Sequence, residues 1–285
     1  MTKITNRTVL ITGGASGIGK LIAQRCVAQK AFQVILWDIN EQALDQTRQE
    51  FEAQGEKVLT YVVDVSSLED IQQAAQEVLG EVGVVDILFN NAGIVVGKPF
   101  AEHSHKDISR TIDINVSAVM HLASEFLPAM LKQGEGHIIN IASAAGLIPN
   151  PNMSVYAASK WAVLGWSESL RLEMETEKTG VKITTVLPSY INTGMFDGVK
   201  APMLTPIMEP EFIVDKIMEG VKKDSILIKE PFMVKSLPIL KGILPTRAFD
   251  LIAGKMFGVY KTMSTFIGKP KDIAVPEKKK GVVKK

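Results

Sequence analysis

Tyr156 and Lys160 lie four residues apart in a stretch of helical pattern, so they share one face of that helix. A phenol with a pKa of ~10 is a poor base at neutral pH. A neighbouring ammonium, or a positively charged nicotinamide ring, favours phenolate and lowers that value. Such a Tyr can exchange a proton with an alcohol oxygen while a hydride moves at the carbon. Ser143 stands thirteen residues before Tyr156, just past a strand-like run. There it can orient the oxygen and share developing charge. Asn115, on the preceding helix, can hold a water that links Lys160 to solvent. The Tyr–Lys spacing alone arises by chance, and the other members of the set give it force.

A second constellation implies a dinucleotide. The run Thr8–Thr12 leads into Gly13-Gly14-Ala15-Ser16-Gly17-Ile18-Gly19, and a helix pattern follows. Glycines permit positive φ and close approach of backbone to phosphate, and the helix start offers free N–H groups. Asp38 lies nineteen residues beyond Gly19, at the end of the next strand pattern. An acidic side chain there accepts hydrogen bonds from ribose hydroxyls and repels a 2′-phosphate. Ile39 follows, with no Arg to hold such a phosphate, so NAD is favoured over NADP. Asp64 and Val65 end the third strand pattern, where an adenine edge would sit. Asn90-Asn91-Ala92-Gly93 ends the fourth; Asn91 can bridge strand ends, and Ala92 and Gly93 let the chain pass close to a cofactor.

These residues need a frame, and the chain offers one. Strand patterns cover Thr8–Thr12, Gln33–Asp38, Val58–Asp64, Val85–Asn90, His137–Ala142, Lys182–Leu187 and Ser225–Lys229. Helix-length segments lie near 17–30, 40–54, 67–81, 106–132, 154–178 and 210–222. Short apolar strands alternating with amphipathic helices imply an α/β, doubly wound Rossmann-type fold, with a parallel sheet covered on both faces. Residues 1–228 read as one catalytic domain. Within it, 188–210 holds four prolines and reads as a substrate lid with short helices. Residues 229–268 read as an apolar extension of two or three short helices, broken at Pro231, Pro238 and Pro245. The basic tail 269–285 reads as disordered.

Composition excludes other classes. The 285 residues are 46% hydrophobic and 22% charged, with a single cysteine. That argues against a disordered chain, a fibre or a disulfide-stapled domain. No apolar run reaches ~18 residues and no leader-like segment precedes the first strand, so neither a transmembrane helix nor a signal peptide is expected. His103 and His105 lack partners at ligand spacing, and no metal site is expected. His121 and His137 read as satisfied polar groups, Cys26 as a buried hydrophobe, and Trp161 and Trp166 as packing residues. Charge is uneven: residues 229–285 hold 13 Lys and Arg against 4 Asp and Glu. Without a nucleic-acid module, this basicity does not imply nucleic-acid binding. Residues 231–268 are either a cover over the substrate mouth or subunit contact, or a lysine-flanked segment that meets a membrane, a contact extending through 231–285.

The lid residues Tyr190, Met195, Phe196, Met203 and Leu204 and the stretch Ala144–Pro151 flank the chemistry with few fixed charges. A small lipophilic alcohol or ketone is the expected substrate, held by Ser143, Tyr156, Tyr190, Met195 and Phe196.

Taken in order, Thr12-Gly13-x-x-x-Gly17-Ile18-Gly19, Asn90-Asn91-Ala92-Gly93, Asn115, Ser143 and Tyr156-x-x-x-Lys160 resemble the short-chain dehydrogenase/reductase family over about residues 5–228. The resemblance implies seven strands, a Tyr base with Ser, Lys and Asn, and Tyr156 and Lys160 also touching the cofactor. After the sixth strand the family usually has Pro-Gly-x-x-x-Thr. Here it is Pro188-Ser189-Tyr190-Ile191-Asn192-Thr193, with Pro188, Ile191 and Thr193 in reach of the nicotinamide carboxamide. Leu36-Trp37-Asp38-Ile39-Asn40, Phe126-Leu127-Pro128-Ala129-Met130, Ala142–Gly146, Asn192-Thr193-Gly194 and Glu209-Pro210-Glu211 resemble the retinol and 17β-hydroxysteroid dehydrogenase branch, which includes lipid-droplet members. That branch implies NAD and lipophilic secondary or allylic alcohols. Its frequent N-terminal anchor is missing from this sequence, so a cytoplasmic enzyme, at most peripheral at a membrane surface, is expected. The family often pairs the helices near 106–132 and 154–178 between subunits, implying a homodimer or homotetramer. An NADPH-dependent ketone or 3-oxoacyl-thioester reductase is the rival reading, and a non-catalytic dinucleotide sensor a weaker one.

Overall fold

The computed structural model describes residues 1–203 and 205–268. Leu204 and the basic tail 269–285 lie outside the described residues. Seven parallel strands form one sheet: β1 (Thr8–Thr12), β2 (Gln33–Asp38), β3 (Leu59–Val62), β4 (Ile87–Asn90), β5 (Gly136–Ile141), β6 (Val181–Pro188) and β7 (Leu227–Glu230), in the order 3-2-1-4-5-6-7. The order reverses between β1 and β4, which opens a crevice at the carboxyl ends of those strands. Strand alternation sorts the core. Val9, Ile11, Val34 and Leu36 face one layer; Leu10, Ile35 and Trp37 face the other.

α1 (Gly17–Ala28), α2 (Glu41–Glu52) and α7 (Pro210–Lys222) serve the first layer. Their buried residues recur at helical spacing, as in Leu44, Thr47 and Phe51. α3 (Leu68–Val82), α5 (Ala118–Gln133) and α6 (Ser154–Thr176) cover the opposite face, where Trp37 meets Phe126 edge-on at 5.8 Å. Cys26 is buried, as expected. His137 is buried between the hydroxyls of Thr2 and Thr184, at 2.9 and 2.8 Å.

α4 (His105–Ile112) runs into α5 through a π-helical turn, Asp113–Ser117. The whole run His105–Gln133 is long and apolar enough to cross a membrane by length and composition. Its apolar side covers the sheet through Leu122, Ala123, Phe126 and Met130, which makes it a core helix here.

Two local expectations are corrected. No helix is present among the described residues of 188–209; instead, the two ends of that segment pair like strands. Ile191 bridges Met208, and the Met208 amide donates to the Tyr190 carbonyl at 2.9 Å. Pro202, Pro206 and the turns at 193–198 disfavour helix in between. Pro238 does not break its segment: α8 (Phe232–Ile243) runs through it, followed by α9 (Thr246–Asp250), a π-helical turn at Leu251–Met256 and a 3₁₀ helix at Val259–Thr265. Losing one intrahelical donor is tolerated because the helix packs Leu237 and Leu240 into an apolar cluster with Ile148, Phe249 and Ala253. The Lys241 ammonium also lies 3.8 Å above the Trp161 ring, tying α8 to α6.

Candidate active site

β1 ends in the Gly-rich turn. Gly13 and Gly17 have φ of +65° and +55°, a region that L side chains disfavour. A Cβ on Gly19 would stand 2.1 Å from the Gly13 carbonyl oxygen, so only glycine lets α1 start this close to the turn. Asn40, Ser67 and Ser104 cap α2, α3 and α4 with their side chains. Ser16 makes no such bond, and the first turn of α1 holds no acidic residue. That helix start therefore keeps its N–H groups for an anion. The Asp38 carboxylate accepts from the amides of Ala15 and Asn40, both at 3.1 Å, which holds it beside the turn. Ile18 packs against the core behind the turn. The methyl of Thr193 approaches Gly17 from the segment after β6. A positive-φ turn, an uncapped helix start and a held carboxylate fit a dinucleotide.

Other expected cofactor residues shape the cradle. The Asn91 amide donates to the carbonyls of Thr12 (2.9 Å) and Gly13 (3.2 Å). The backbone amides of Asn91 and Ala92 donate to the Thr12 hydroxyl. Asp64 accepts from Ser66 and shapes the turn into α3, while Val65 packs on the core. Ile191 turns its side chain into the core. Ser189, where the family pattern has Gly, is absent from the positive-φ positions, so its side chain brings no backbone strain; its amide donates to the Glu230 carbonyl at 2.9 Å.

Two of the four chemistry-bearing residues meet beside Gly93. A Cβ there would meet the Asn115 amide oxygen at 3.3 Å and the Lys160 Nζ at 3.7 Å. Asn115 is set by the π-helical turn, a device often found at functional sites. It exchanges two hydrogen bonds with Ile94, both 2.9 Å, and donates to the Ser159 hydroxyl at 3.1 Å. Lys160 donates to the Ile141 carbonyl at 2.9 Å, and its Nζ lies 5.6 Å from the centre of the Tyr156 ring. Ser143, past the end of β5, accepts from the Ala145 amide.

The expected lowering of the Tyr156 pKa is corrected for this state. Burial pushes the phenol up to about 12, against a downward pull from the Ser143 hydroxyl. Burial also pushes the Lys160 ammonium down to about 8. Both groups are desolvated, and burial disfavours the charged form of each.

Beside this group opens an apolar cleft. Ser143, Ala145, Tyr190 and Phe196 form its floor side, and Val234, Leu237, Phe249, Ala253 and Phe257 form the roof. The extension is thus a cover over the cleft. Tyr190 and Phe196 stack edge-on at 5.2 Å, as do Tyr156 and Phe196 at 6.1 Å. Of the expected substrate residues, Ser143, Tyr190 and Phe196 line the cleft, and Met195 and Tyr156 do not. Sequence reasoning did not single out Asn150, which lies within Ala144–Pro151 and lines the cleft. Its partners, Tyr190 and Thr262, are far away in sequence, so no local pattern marked it.

The chain belongs to the short chain dehydrogenase family, whose model matches residues 7–203. It is an oxidoreductase of that NAD(P)-binding family, in the retinol and 17β-hydroxysteroid dehydrogenase branch. It is 39% identical to mouse "Epidermal retinol dehydrogenase 2" over 94% of this chain and 87% of that one. Human "Estradiol 17-beta-dehydrogenase 11" is 38% identical, over 89% and 84%. Among solved structures, a short-chain dehydrogenase/reductase from Burkholderia phymatum in complex with NAD has a TM-score of 0.77 and 26% identity, covering 85% of this chain and 95% of that one. A Sphingobium yanoikuyae short-chain dehydrogenase in complex with NADPH has a TM-score of 0.74 and 30% identity, over 83% and 92%.

Proposed function

We propose that the protein transfers a hydride between NAD(H) and a lipophilic secondary or allylic alcohol, or the matching ketone. The observation that carries this reading is the apolar, roofed cleft that reaches Ser143 beside Tyr156. When bound, the dinucleotide supplies the hydride acceptor or donor. Tyr156 takes the proton from the alcohol oxygen, or returns it to the ketone. Ser143 donates to that oxygen and fixes its position. Lys160 sets the charge beside the phenol, and Asn115 holds the surrounding backbone at Ile94. NAD over NADP follows from Asp38, whose carboxylate at the turn would repel a 2′-phosphate.

The test is a panel of lipophilic alcohols and hydrophilic polyols with NAD and with NADP, read by absorbance of the reduced cofactor. Turnover of lipophilic alcohols with NAD is expected. Activity confined to polyols would overturn the substrate reading, and a preference for NADP would overturn the cofactor reading.

Two surfaces support further proposals. The outer side of the extension exposes Phe232 (73%) and Ile243 (75%) near Lys235 and Arg247. This face suits an anionic lipid surface from which apolar substrate could enter the cleft. Failure to float with anionic liposomes would reject it. On α5 and α6, Leu131 and Leu172 are exposed, which supports subunit pairing. A single 31.1 kDa species in light scattering at micromolar concentration would reject that.

A further inference from the structure

The proposed base stands in the first turn of a helix that lacks a side-chain cap. α6 starts at Ser154; Met153 at its N-cap makes no side-chain bond, and the first turn holds no acidic residue. First turns fray unless something fixes them. Yet Tyr156 is only 5% exposed, and the chemistry needs its phenol in one place. A chain of side-chain bonds enters this turn from the side. The Ser159 hydroxyl donates to the Tyr156 carbonyl at 2.7 Å. The same oxygen accepts from Asn115 Nδ2 at 3.1 Å. Nδ2 also donates to the Ile94 carbonyl, and Asn115 Oδ1 accepts from the Ile94 amide, both at 2.9 Å.

Backbone groups fix the direction of every bond. The Ile94 amide can only donate and its carbonyl can only accept, which assigns the two ends of the Asn115 amide. Nδ2 therefore donates to Ser159, and the one hydrogen of Ser159 goes to the Tyr156 carbonyl, which can only accept. Ser159 and Asn115 are fully buried, so water does not compete for these bonds. We infer that Ser159 is a positioning residue: its hydroxyl fastens the Tyr156 turn of α6 to Asn115, and through Asn115 to the Ile94 segment that follows Gly93. It acts through Tyr156 and Asn115 rather than on the reacting atoms. Without the hydroxyl, the turn keeps only its backbone bonds and Nδ2 loses one acceptor. This inference rests on the proposed role of Tyr156 as the base.

The experiment uses Ser159→Ala, which deletes the link, and Ser159→Thr, whose hydroxyl can make the same bond to a carbonyl one turn back. kcat and KM are measured with NAD and the best alcohol of the panel, and NADH affinity by fluorescence. Ring signals of isotope-labelled tyrosine are followed by NMR, with Tyr156 assigned through Tyr156→Phe. Ser159→Ala should lower kcat about ten- to a hundredfold, with KM and NADH affinity within about twofold of wild type. Its Tyr156 signal should shift or broaden while those of Tyr61 and Tyr260 stay in place. Ser159→Thr should bring kcat back to within about threefold of wild type and restore the Tyr156 signal. A merely structural Ser159 would leave kcat near wild type in the folded variant, or disturb NADH affinity and all the tyrosine signals together. Either result overturns the inference, as does a folded Ser159→Thr with no recovery. If Ser159→Ala fails to fold, Ser159→Cys, of similar shape and with only a weak donor, replaces it under the same criteria. If the wild type oxidises no alcohol, the alcohol reading fails, and the Tyr156 signal alone decides the Ser159 link.

Discussion

Replacing Lys160 by Met removes the partner of the proposed base while keeping a long apolar side chain. In the free protein the ammonium sits at about 8 and the phenol at about 12, both displaced by burial. The phenol is therefore protonated in the free protein, and its ionisation during alcohol oxidation depends on positive charge beside it. Alcohol oxidation needs the phenol without its proton, so its kcat/KM should rise with pH. Ketone reduction needs the proton present and should fall as pH rises. In Lys160→Met the phenol keeps its burial and loses the neighbouring cation, so less base forms, a loss on the order of 10²–10⁴-fold, the usual contribution of a positioned acid–base group. The assay is kcat/KM and kcat at saturating NAD from pH 6 to 10, with the best alcohol of the panel. The variant should lose up to ~10⁴-fold at pH 8 and keep rising through pH 10. A Lys160→Met enzyme that stays within about tenfold of wild type at pH 8 would refute the assignment, as would full activity in Tyr156→Phe.

Three further outcomes can be checked. Burial pushes the His137 imidazole down to about 4, so the unfolded chain binds the extra proton. His137 then leaves stability intact above pH 6.5 and withdraws roughly 3 kcal/mol as pH falls from 6.5 to about 4. Urea melts at pH 7 and pH 4 should show this added loss in wild type and not in His137→Gln. Gly19→Ala places a Cβ against the Gly13 carbonyl, where backbone must move. It should lower stability by about 1–3 kcal/mol and abolish NADH binding by fluorescence titration; retained affinity would contradict the cradle. Ala253→Trp fills the roofed cleft. It should raise KM for lipophilic alcohols at least about tenfold while NADH affinity stays within about twofold; unchanged KM would place substrate elsewhere.

The sheet and both constellations were legible because each is written locally. A strand ends, a glycine turn follows, and Asp38 closes the next strand at a countable distance. Tyr156 and Lys160 need only one helix turn between them. The wall of the cleft was not legible in the same way. Asn150 acquires meaning from Thr262, 112 residues away, and no periodicity signals a side-chain bond of that span. The π-helical turn at Asp113–Ser117 left no mark either, since an extra residue in a helix keeps the composition of a helix. Burial misled the electrostatic expectation: the sequence shows who neighbours the phenol, whereas the loss of water around both groups exists only in the folded chain.

The roof has an implication for how such enzymes diversify. In the proposed reaction the residues that move a proton lie up to Lys160, whereas much of the lining of the cleft comes after β7. The two assignments sit in separable stretches of one polypeptide. A chimera that exchanges residues after Glu230 with those of a relative could inherit that relative's choice of molecule while its reactive machinery stays untouched.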